Sequence, residues 1–306
     1  MHPKVFVIIL NWNGWRDTLE CLKSLKQNNY WNYKIVVVDN GSTDNSLDRL
    51  QDIDSDKRIS LLPIGTNLGF SGGNNIGIKY ALKNGADYIL LLNNDTKVDK
   101  YFLSELIKQA EGDRNGGLFG PKIYYHDNPE VIWFAGGKIN INPFEVNGTH
   151  IGLNKPDSEK YNQIKKVDYI TGCCFLIKKE VIDKIGFLDE DYFLYYEDAD
   201  YCLRARKAGY KCTFVPSAKI WHKCSVGTHE GSSSYVYYHT RNALIMARKN
   251  GSFFEKIFIF KLTGWIFIKQ IFKIIFIPKK REWAKSVLQG LEDFYLRKTG
   301  KYENWH

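Results

Sequence analysis

Two acidic stretches in this sequence have residue types and neighbours that could do chemistry. The first ends the run Tyr88-Ile89-Leu90-Leu91-Leu92-Asn93-Asn94-Asp95. An unbroken apolar and aromatic run from Tyr88 to Leu92 suits a strand buried on both faces. A carboxylate at the carboxyl end of such a strand is where open α/β sheets place ligand chemistry. Asp95 offers a hard oxygen and Asn93 and Asn94 offer amides. Mg2+ is commonly held by one or two carboxylates plus substrate phosphates. Asp95 is therefore expected to bind a divalent metal carrying a nucleotide diphosphate, although a polar turn would use the same residue types. The second stretch holds Asp189, Glu190, Asp191, Glu197, Asp198 and Asp200, flanked by Phe187, Phe193, Tyr195, Tyr196, Tyr201 and Leu203. Carboxylates against apolar walls have raised pKa values and suit general-base work. The same acids could cap a helix expected from near Ala199.

The elements that must position these groups alternate strand and helix. Strands are expected at Val5–Leu10, Lys34–Asp39, Ile59–Pro63 and Tyr88–Leu92. Helices are expected at Trp15–Gln27, Asp44–Leu50 (capped by Ser42 or Thr43) and Asn74–Lys83. Repeated βα units imply a parallel sheet with binding residues at the strand ends. The first strand-to-helix turn, Asn11-Trp12-Asn13-Gly14-Trp15, lacks the G-x-G-x-x-G of dinucleotide-binding folds. Asp39 ends the second strand where a carboxylate could accept hydrogen bonds from a nucleoside, or simply open the Asn40-Gly41 turn. Asn67-Leu68-Gly69-Phe70-Ser71-Gly72-Gly73-Asn74-Asn75 places three glycines ahead of a helix, which could open backbone N–H groups toward an anion.

Beyond residue 100 the signal thins. Tyr101–Ala110 reads as a helix, and residues 126–166 as irregular loops near the substrate with short strand-like runs such as Val131–Ala135. A turn plus strand follows at Asp168–Ile177 and a strand at Lys211–Val215, with a short helix at Val181–Ile185. Phe253–Ile277 is rich in Ile and Phe, but its longest uncharged run, Leu262–Ile268, is far short of the about 20 residues a spanning helix needs. Lys261, Lys269 and Lys273 fall in a stripe about 120° wide on a helix. A greasy helix with a lysine stripe reads as interfacial, favouring anionic lipid; packing on the domain or on a second subunit is the alternative. A further helix is expected at Ala284–Arg297. The expected organisation is a strand–helix half at 1–100, a second half at 101–250 that carries the acidic cluster, and a helical amphipathic tail at 251–306.

Composition sets outer bounds. The 306 residues are 44% apolar and 15% aromatic, which excludes a disordered chain. A net charge of +9 points to nucleic acid, a membrane surface or an anionic substrate without choosing among them. The six cysteines form no C-x-x-C pair, so a zinc site is not expected, and reduced, mostly buried thiols in a cytosolic protein are. No signal-peptide pattern precedes Val5.

The motifs VVVDNGSTD, NLGFSGGNN and LLLNND, in this order and spacing, resemble those of family 2 glycosyltransferases. These are enzymes of the GT-A fold that use nucleotide-activated sugars, and the likeness is greatest to the rhamnosyltransferase-like subgroup. The resemblance implies an α/β fold with a Rossmann-like, mostly parallel central sheet flanked by helices and a C-terminal helical extension. It implies that Asp39 contacts the base or ribose, with Asn67, Gly69, Gly72, Asn74 and Asn94 also at the donor. Asp95 becomes the last acid of a D-x-D-like metal motif, in which Asn93 and Asn94 stand where many relatives carry Asp. Glu197-Asp198, followed by Asp200, Cys202 and Arg204, matches the family's E-D motif. That match implies Asp198 as the base for the acceptor hydroxyl, with Glu197 as its understudy. Trp221-His222 resembles a pair that supplies a metal ligand. Tyr237-Tyr238-His239-Thr240-Arg241-Asn242 resembles a Y-x-x-R-N segment, where Arg241 pairs with the diphosphate or with one of the acids.

The expectation is an inverting, metal-dependent glycosyltransferase. It moves rhamnose or a similar hexose from a dTDP- or UDP-sugar to an acceptor sugar hydroxyl in surface polysaccharide synthesis. The expected cofactor is Mg2+ or Mn2+. The expected partners are the nucleotide-sugar donor, a glycan or lipid-linked glycan acceptor, an anionic membrane surface and a second copy of the chain, but no nucleic acid. The expected place is cytoplasmic, peripheral on the inner face of the membrane. A sugar nucleotidyltransferase should carry a basic loop after the first strand, and no basic residue precedes Arg16 there. A non-enzymatic nucleic-acid or membrane-binding protein would not need a polar metal site at the end of a buried strand.

Overall fold

A computed structural model of the chain describes residues 2–224 and 232–302. The first part runs β1 (Val5–Asn11), α1 (Trp15–Leu25), β2 (Tyr33–Asp39), α2 (Ser46–Leu50), β3 (Ile59–Pro63), α3 (Gly69–Lys83) and β4 (Tyr88–Asn93). The middle runs β5 (Thr96–Val98), α4 (Phe102–Gly112), β6 (Gly116–Tyr125), β7 (Val131–Phe134), β8 (Gly137–Ile141), β9 (Val146–His150), β10 (Lys155–Pro156) and β11 (Lys165–Val167). Then come β12 (Cys174–Lys178), α5 (Lys179–Ile185), α6 (Glu197–Lys207), β13 (Lys211–His222), α7 (Ser233–Asn250), α8 (Phe253–Phe276) and α9 (Arg281–Tyr295).

Eleven of these strands form one sheet, ordered β10-β7-β6-β12-β4-β1-β2-β3, with β13 alongside β6 and carrying β5 and β11. β8 and β9 make a separate hairpin. β4, β1, β2 and β3 are mutually parallel. Their sequences are nearly unbroken apolar runs because a parallel sheet is covered on both faces. Register then decides where the polar ends emerge. Asn11 lies opposite Asp39, and Leu10 opposite Asn93, so three strand ends present polar side chains along one edge.

α3 packs on β1 and β2. A Cβ on Gly77 would lie 2.5 Å from Ile8 Cγ2, so this glycine lets helix and sheet approach closely. The helix begins at Gly69, not at Asn74 as expected: the glycines form its first turns instead of a loop before it. α2 also lacks its expected hydroxyl cap, since its N-cap is Asn45 and Ser42 is turned toward Asp39.

β12 runs antiparallel between β4 and β6, with Cys174 opposite Leu92. The turn ahead of it, Thr171-Gly172-Cys173, therefore sits against the end of β4, and the Cys173 carbonyl accepts the Asn93 N–H at 2.8 Å. β13 extends well past Val215, where the sequence reading stopped at Pro216. Register shifts against β6 between Val215 and Lys219 carry the strand past the proline, which cannot donate to the ladder. It continues to His222, opposite Thr96 of β5.

Residues 126–166, expected to be irregular, hold β7 to β10 and the start of β11. The strand-like run expected at Val131–Ala135 is β7, with Ile132 and Phe134 fully buried, whereas β8 to β10 are too short or too polar for their alternation to stand out in the sequence. α7, α8 and α9 pack on one another. Among the described residues no helix is long and apolar enough to cross a membrane. Five cysteines are buried and Cys224 is exposed, all unpaired.

The tight seat of α3 gives a direct test. Gly77→Val should lower unfolding free energy by about 1–3 kcal/mol through overpacking, measured by denaturant titration; an unchanged midpoint would mean that the helix can lift away freely.

Candidate active site

The loop after β4 returns through β5, which pairs with the end of β13. The Lys223 N–H donates to the Asp95 carbonyl at 3.0 Å. This ladder sets His222 Nε2 3.1 Å from Asp95 Oδ1, with both side chains largely shielded. Trp133 stands edge-on to the imidazole with ring centres 4.7 Å apart. Burial opposes a charge on His222, but Cys173 and the Asp95 carboxylate outweigh it and hold the imidazole well above its ordinary pKa. Lys223 fixes the same strand end to α1 through Asp17 and Glu20, each at 2.6 Å.

An imidazole nitrogen and a carboxylate oxygen at this separation are two donors converging on one point. A divalent cation that took the place of the shared proton, and filled its remaining positions with diphosphate oxygens and water, fits this donor set. Among the described residues no cluster of three His, Cys, Asp or Glu side chains suited to a metal occurs, so the rest of the sphere falls to the substrate and solvent.

Asp198 lies in the first turn of α6. Its Oδ1 accepts the Ala199 N–H and its Oδ2 the Gly172 N–H, each at 2.7 Å. Gly172 precedes the residue whose carbonyl binds Asn93, two positions before Asp95. Asp198 and the end of β4, which leads to Asp95 103 positions before it, are thus bound to one turn, through Gly172 and Cys173 respectively. Burial pushes the Asp198 pKa up, and the backbone N–H bonds pull against it. Glu197 differs. It is only 5% exposed, and its Oε2 has no hydrogen-bond partner. Burial first, then the charges of Asp198 and Asp200, raise its pKa far more strongly. The pair divides accordingly: Glu197 is pushed further toward its neutral form, and Asp198, held by two peptide dipoles, is the member that ionises more readily. Asp200 is structural, bound by Arg204 at 2.8 Å, Asn250 at 2.6 Å and Tyr192 at 3.3 Å.

Asp39 is buried at the end of β2. Its Oδ1 accepts from Asn11 at 2.8 Å and from the Ser42 hydroxyl at 2.6 Å, and its Oδ2 from the Ser42 N–H at 3.2 Å. Asn11 in turn accepts from the Thr18 hydroxyl at 2.8 Å, and Thr18 Oγ1 accepts from Asn94 Nδ2 at 3.1 Å. One row of side chains therefore runs from Asp39 across the end of β1 to the residue before Asp95.

The glycine segment is used mainly inside the fold. Gly69 has φ +72°, and a Cβ there would meet the Phe193 carbonyl oxygen at 2.3 Å. Its N–H goes to Asn67 Oδ1 at 2.8 Å, and the Phe70 N–H goes to the Phe193 carbonyl at 2.7 Å. Asn67 also accepts from Asn40, Gly72 is buried against Leu68, and Asn74 bonds to the Phe70 carbonyl. Two of the N–H groups that the sequence offered to an anion are thus taken by the protein.

Arg241 also departs from expectation. It is 1% exposed, and its guanidinium donates to Asn242 Oδ1, the Tyr237 hydroxyl and the Gly300 carbonyl at 2.7–3.0 Å. These bonds commit it to α7 and the tail, not to a diphosphate or to the acids of α6. Its neighbour carries the consequence. Asn242 Nδ2 donates to the carbonyls of Leu194 and Tyr195 at 2.8 and 3.1 Å. Tyr195 and Tyr196 both have left-handed φ values, 68° and 72°, a strained arrangement for aromatic residues. The Arg241-Asn242 pair clamps the turn that delivers Asp198. Sequence reasoning missed Asn11, Thr18, Trp133, Gly172 and Asn242. Only the R-N pair had a sequence signal, and it was assigned to Arg241 instead of to Asn242.

Comparisons with known proteins bear on the family and the fold. The family described as Glycosyl transferase family 2 matches residues 6–186. A low-salt glycan biosynthesis hexosyltransferase of Haloferax volcanii is 29% identical over 315 residues, covering 99% of this chain and 94% of that protein. A dTDP-rhamnosyl transferase of Shigella flexneri is 26% identical over 260 residues, covering 82% of each. Among solved structures, a mannosyltransferase from Pyrobaculum calidifontis in complex with GDP-Man and Mn2+ superposes with TM-score 0.62 at 12% identity, covering 97% of this chain and 88% of that one. S. aureus TarS in complex with UDP-GlcNAc gives TM-score 0.60 at 14% identity, covering 96% of this chain and 81% of that one. The fold is GT-A: a mostly parallel central sheet with flanking helices, extended here by C-terminal helices.

Asn242→Ala would leave the Leu194 and Tyr195 carbonyls without their donor. Stability should fall by about 1–3 kcal/mol, and kcat by roughly 10- to 100-fold through a displaced base, with donor KM nearly constant. Chemical unfolding and steady-state kinetics would read both; an unaltered kcat would remove the clamp from the mechanism.

Proposed function

The chain belongs to glycosyl transferase family 2, a glycosyltransferase of glycan biosynthesis, and we propose that it transfers a hexose with inversion using Asp198 as base. The observation that carries this reading is the Gly172-Cys173 turn. It binds Asp198 on one side and Asn93 on the other, so a base and a leaving-group site share one edge of the sheet. The family match leaves a nucleotidyltransferase or a non-enzymatic binding protein without support.

Asp198 faces an acceptor hydroxyl with a lone pair left on each oxygen, since each already accepts one N–H. The hydroxyl proton goes to Asp198 as the acceptor oxygen bonds to the anomeric carbon. The bond from that carbon to the diphosphate breaks on the opposite side, and its electron pair leaves with the nucleotide. Asp95 and His222 would hold a divalent cation, Mg2+ or Mn2+, which when bound would supply positive charge for the departing diphosphate. Buried Glu197, pushed toward its neutral form, lowers the charge that Asp198 must share. Asp39 and the Asn11–Thr18–Asn94 row shape the nucleoside end of the donor site.

The donor in this reading is a dTDP- or UDP-sugar carrying rhamnose or a similar hexose. The Shigella flexneri relative named for dTDP-rhamnosyl transfer supports it. So does a second named relative, an N-acetylglucosaminyl-diphospho-decaprenol L-rhamnosyltransferase of Mycobacterium tuberculosis, 25% identical over 228 residues. The acceptor is a glycan, carried on a lipid and met at the cytoplasmic face of an anionic membrane.

Asp198→Asn should cut transfer by about 10²- to 10⁴-fold while nucleotide binding persists; retained turnover in a radiolabelled-sugar assay would remove Asp198 from its role. Because burial raises the pKa of Asp198 and the base must be ionised, turnover is full at higher pH. It falls as pH drops through a value above the usual carboxylate range; a wild-type acid limb at an ordinary carboxylate pKa would contradict this environment. Asp95→Ala should weaken Mn2+-dependent binding of UDP or dTDP by more than about tenfold, and equal calorimetric affinities would dismiss the cation site.

A further inference from the structure

α8 is a single helix of 24 residues, opened by a capping box in which the Ser252 hydroxyl and the Glu255 carboxylate each accept the other's backbone N–H. One face, with Ile259, Leu262, Thr263 and Gln270, is buried in the described protein. Among the described residues nothing covers the opposite face. Phe254, Phe260, Trp265, Ile268, Ile275 and Phe276 are 59–70% exposed, and at 100° per residue they lie away from the buried stripe. Soluble monomers rarely leave so long an apolar surface open.

The charges beside this face narrow what can cover it. Lys256, Lys261, Lys269 and Lys273 lie on α8, and Lys279 and Lys280 follow it, against one acid on the helix, Glu255. The lysines crowd one another. Burial and its neighbours Lys269 and Lys280 lower the pKa of Lys273, whose ammonium sits 4.1 Å over the Trp283 ring. Lys207 of α6 is lowered by burial and by Lys256. Lys207 also lines an open cavity of about 440 Å³ together with Lys166, Arg206 and Lys211. Arg206 and Lys211 there are paired with Asp168 and Asp113 at 3.2 and 3.9 Å, so Lys166 and Lys207 carry the positive charge from the tail onto the α/β domain. A second copy meeting this face across a two-fold axis would set these lysines against their counterparts. A surface of anionic headgroups relieves the crowding, and its acyl boundary accepts the aromatic and Ile side chains.

We propose that the chain docks on anionic lipid through the exposed face of α8, with the helix lying in the plane of the interface and the Lys207 rim against headgroup phosphate. This deepens the reading of a lipid-carried acceptor and rests on it for its purpose, though not for its test. α7, which carries Asn242, packs on α8. The docked helix is thereby one packing layer from the turn that holds Asp198.

The experiment is co-sedimentation of the full chain with vesicles of phosphatidylglycerol and phosphatidylcholine, or of phosphatidylcholine alone. The chain should pellet with the mixed vesicles, and at least about tenfold more weakly with phosphatidylcholine or in high salt. Phe260→Glu with Ile268→Glu should lose binding by at least about tenfold, and so should Lys261→Glu with Lys269→Glu. These side chains are exposed, so circular dichroism melts should match the parent chain. UDP or dTDP binding without vesicles is measured on the same samples; its absence in the parent would count against the glycosyltransferase reading and leave the docking result standing. Parent chain that stays in the supernatant with anionic vesicles overturns the proposal. So does equal pelleting of the Phe260/Ile268 variant, or a lipid-free dimer that this variant abolishes while no vesicle binding is seen.

Discussion

A single peptide N–H, that of Gly172, organises the catalytic edge. It donates to Asp198, and the adjacent Cys173 carbonyl accepts from Asn93 at the end of β4. The antiparallel entry of β12 beside β4 makes both bonds possible at once. Without that pairing, the acid on α6 and the acid after β4 would be independent features of distant sequence. With it, both are tied to the same short turn ahead of β12. The distances are fixed by backbone geometry, which loses little when individual side chains change.

The same economy of backbone contacts explains the strain ahead of α6. Two consecutive aromatic residues in the left-handed region cost on the order of 1–3 kcal/mol each, and such a turn persists only where surrounding bonds over-determine it. Asn242 provides two, Phe193 receives the Phe70 N–H, and Gly69 leaves the space for that approach. The N-terminal turn of α3 and the middle of α7 converge on one short segment from opposite ends of the chain. The glycines of α3 and the R-N pair of α7 thus share a job that neither motif states by itself.

What could be read without coordinates follows from range. β1, β2 and β4 were legible because burial on both faces writes itself as an unbroken apolar run. Asp95 and the acids from Asp189 to Asp200 stood out because their chemistry conflicts with their apolar surroundings, but only the resemblance of Glu197-Asp198 to a family motif separated Asp198 from the other five. Register was not legible, so the row from Asp39 through Asn11 and Thr18 to Asn94 could not be seen: its members are ordinary polar residues until pairing aligns them. Pro216 hid the length of β13, since a bulge and a strand end look alike in one sequence. Arg241 was misjudged because a guanidinium advertises anion binding, whereas carbonyl and hydroxyl oxygens close at hand satisfy it just as well.

Asn11 has a consequence of its own. Its amide gives hydrogen to Asp39 and takes hydrogen from Thr18, so it has one permitted orientation and works as a two-sided adaptor. Asp39 therefore cannot be exchanged in isolation. A side chain there that donates instead of accepting turns the Asn11 amide, and the turned amide offers Thr18 a hydrogen where it offered an oxygen. The Thr18 hydroxyl must then give its own hydrogen wholly to the Gly14 carbonyl, to which it already donates at 3.1 Å, so a change at the end of β2 is felt at the start of α1 and by Asn94 beyond it.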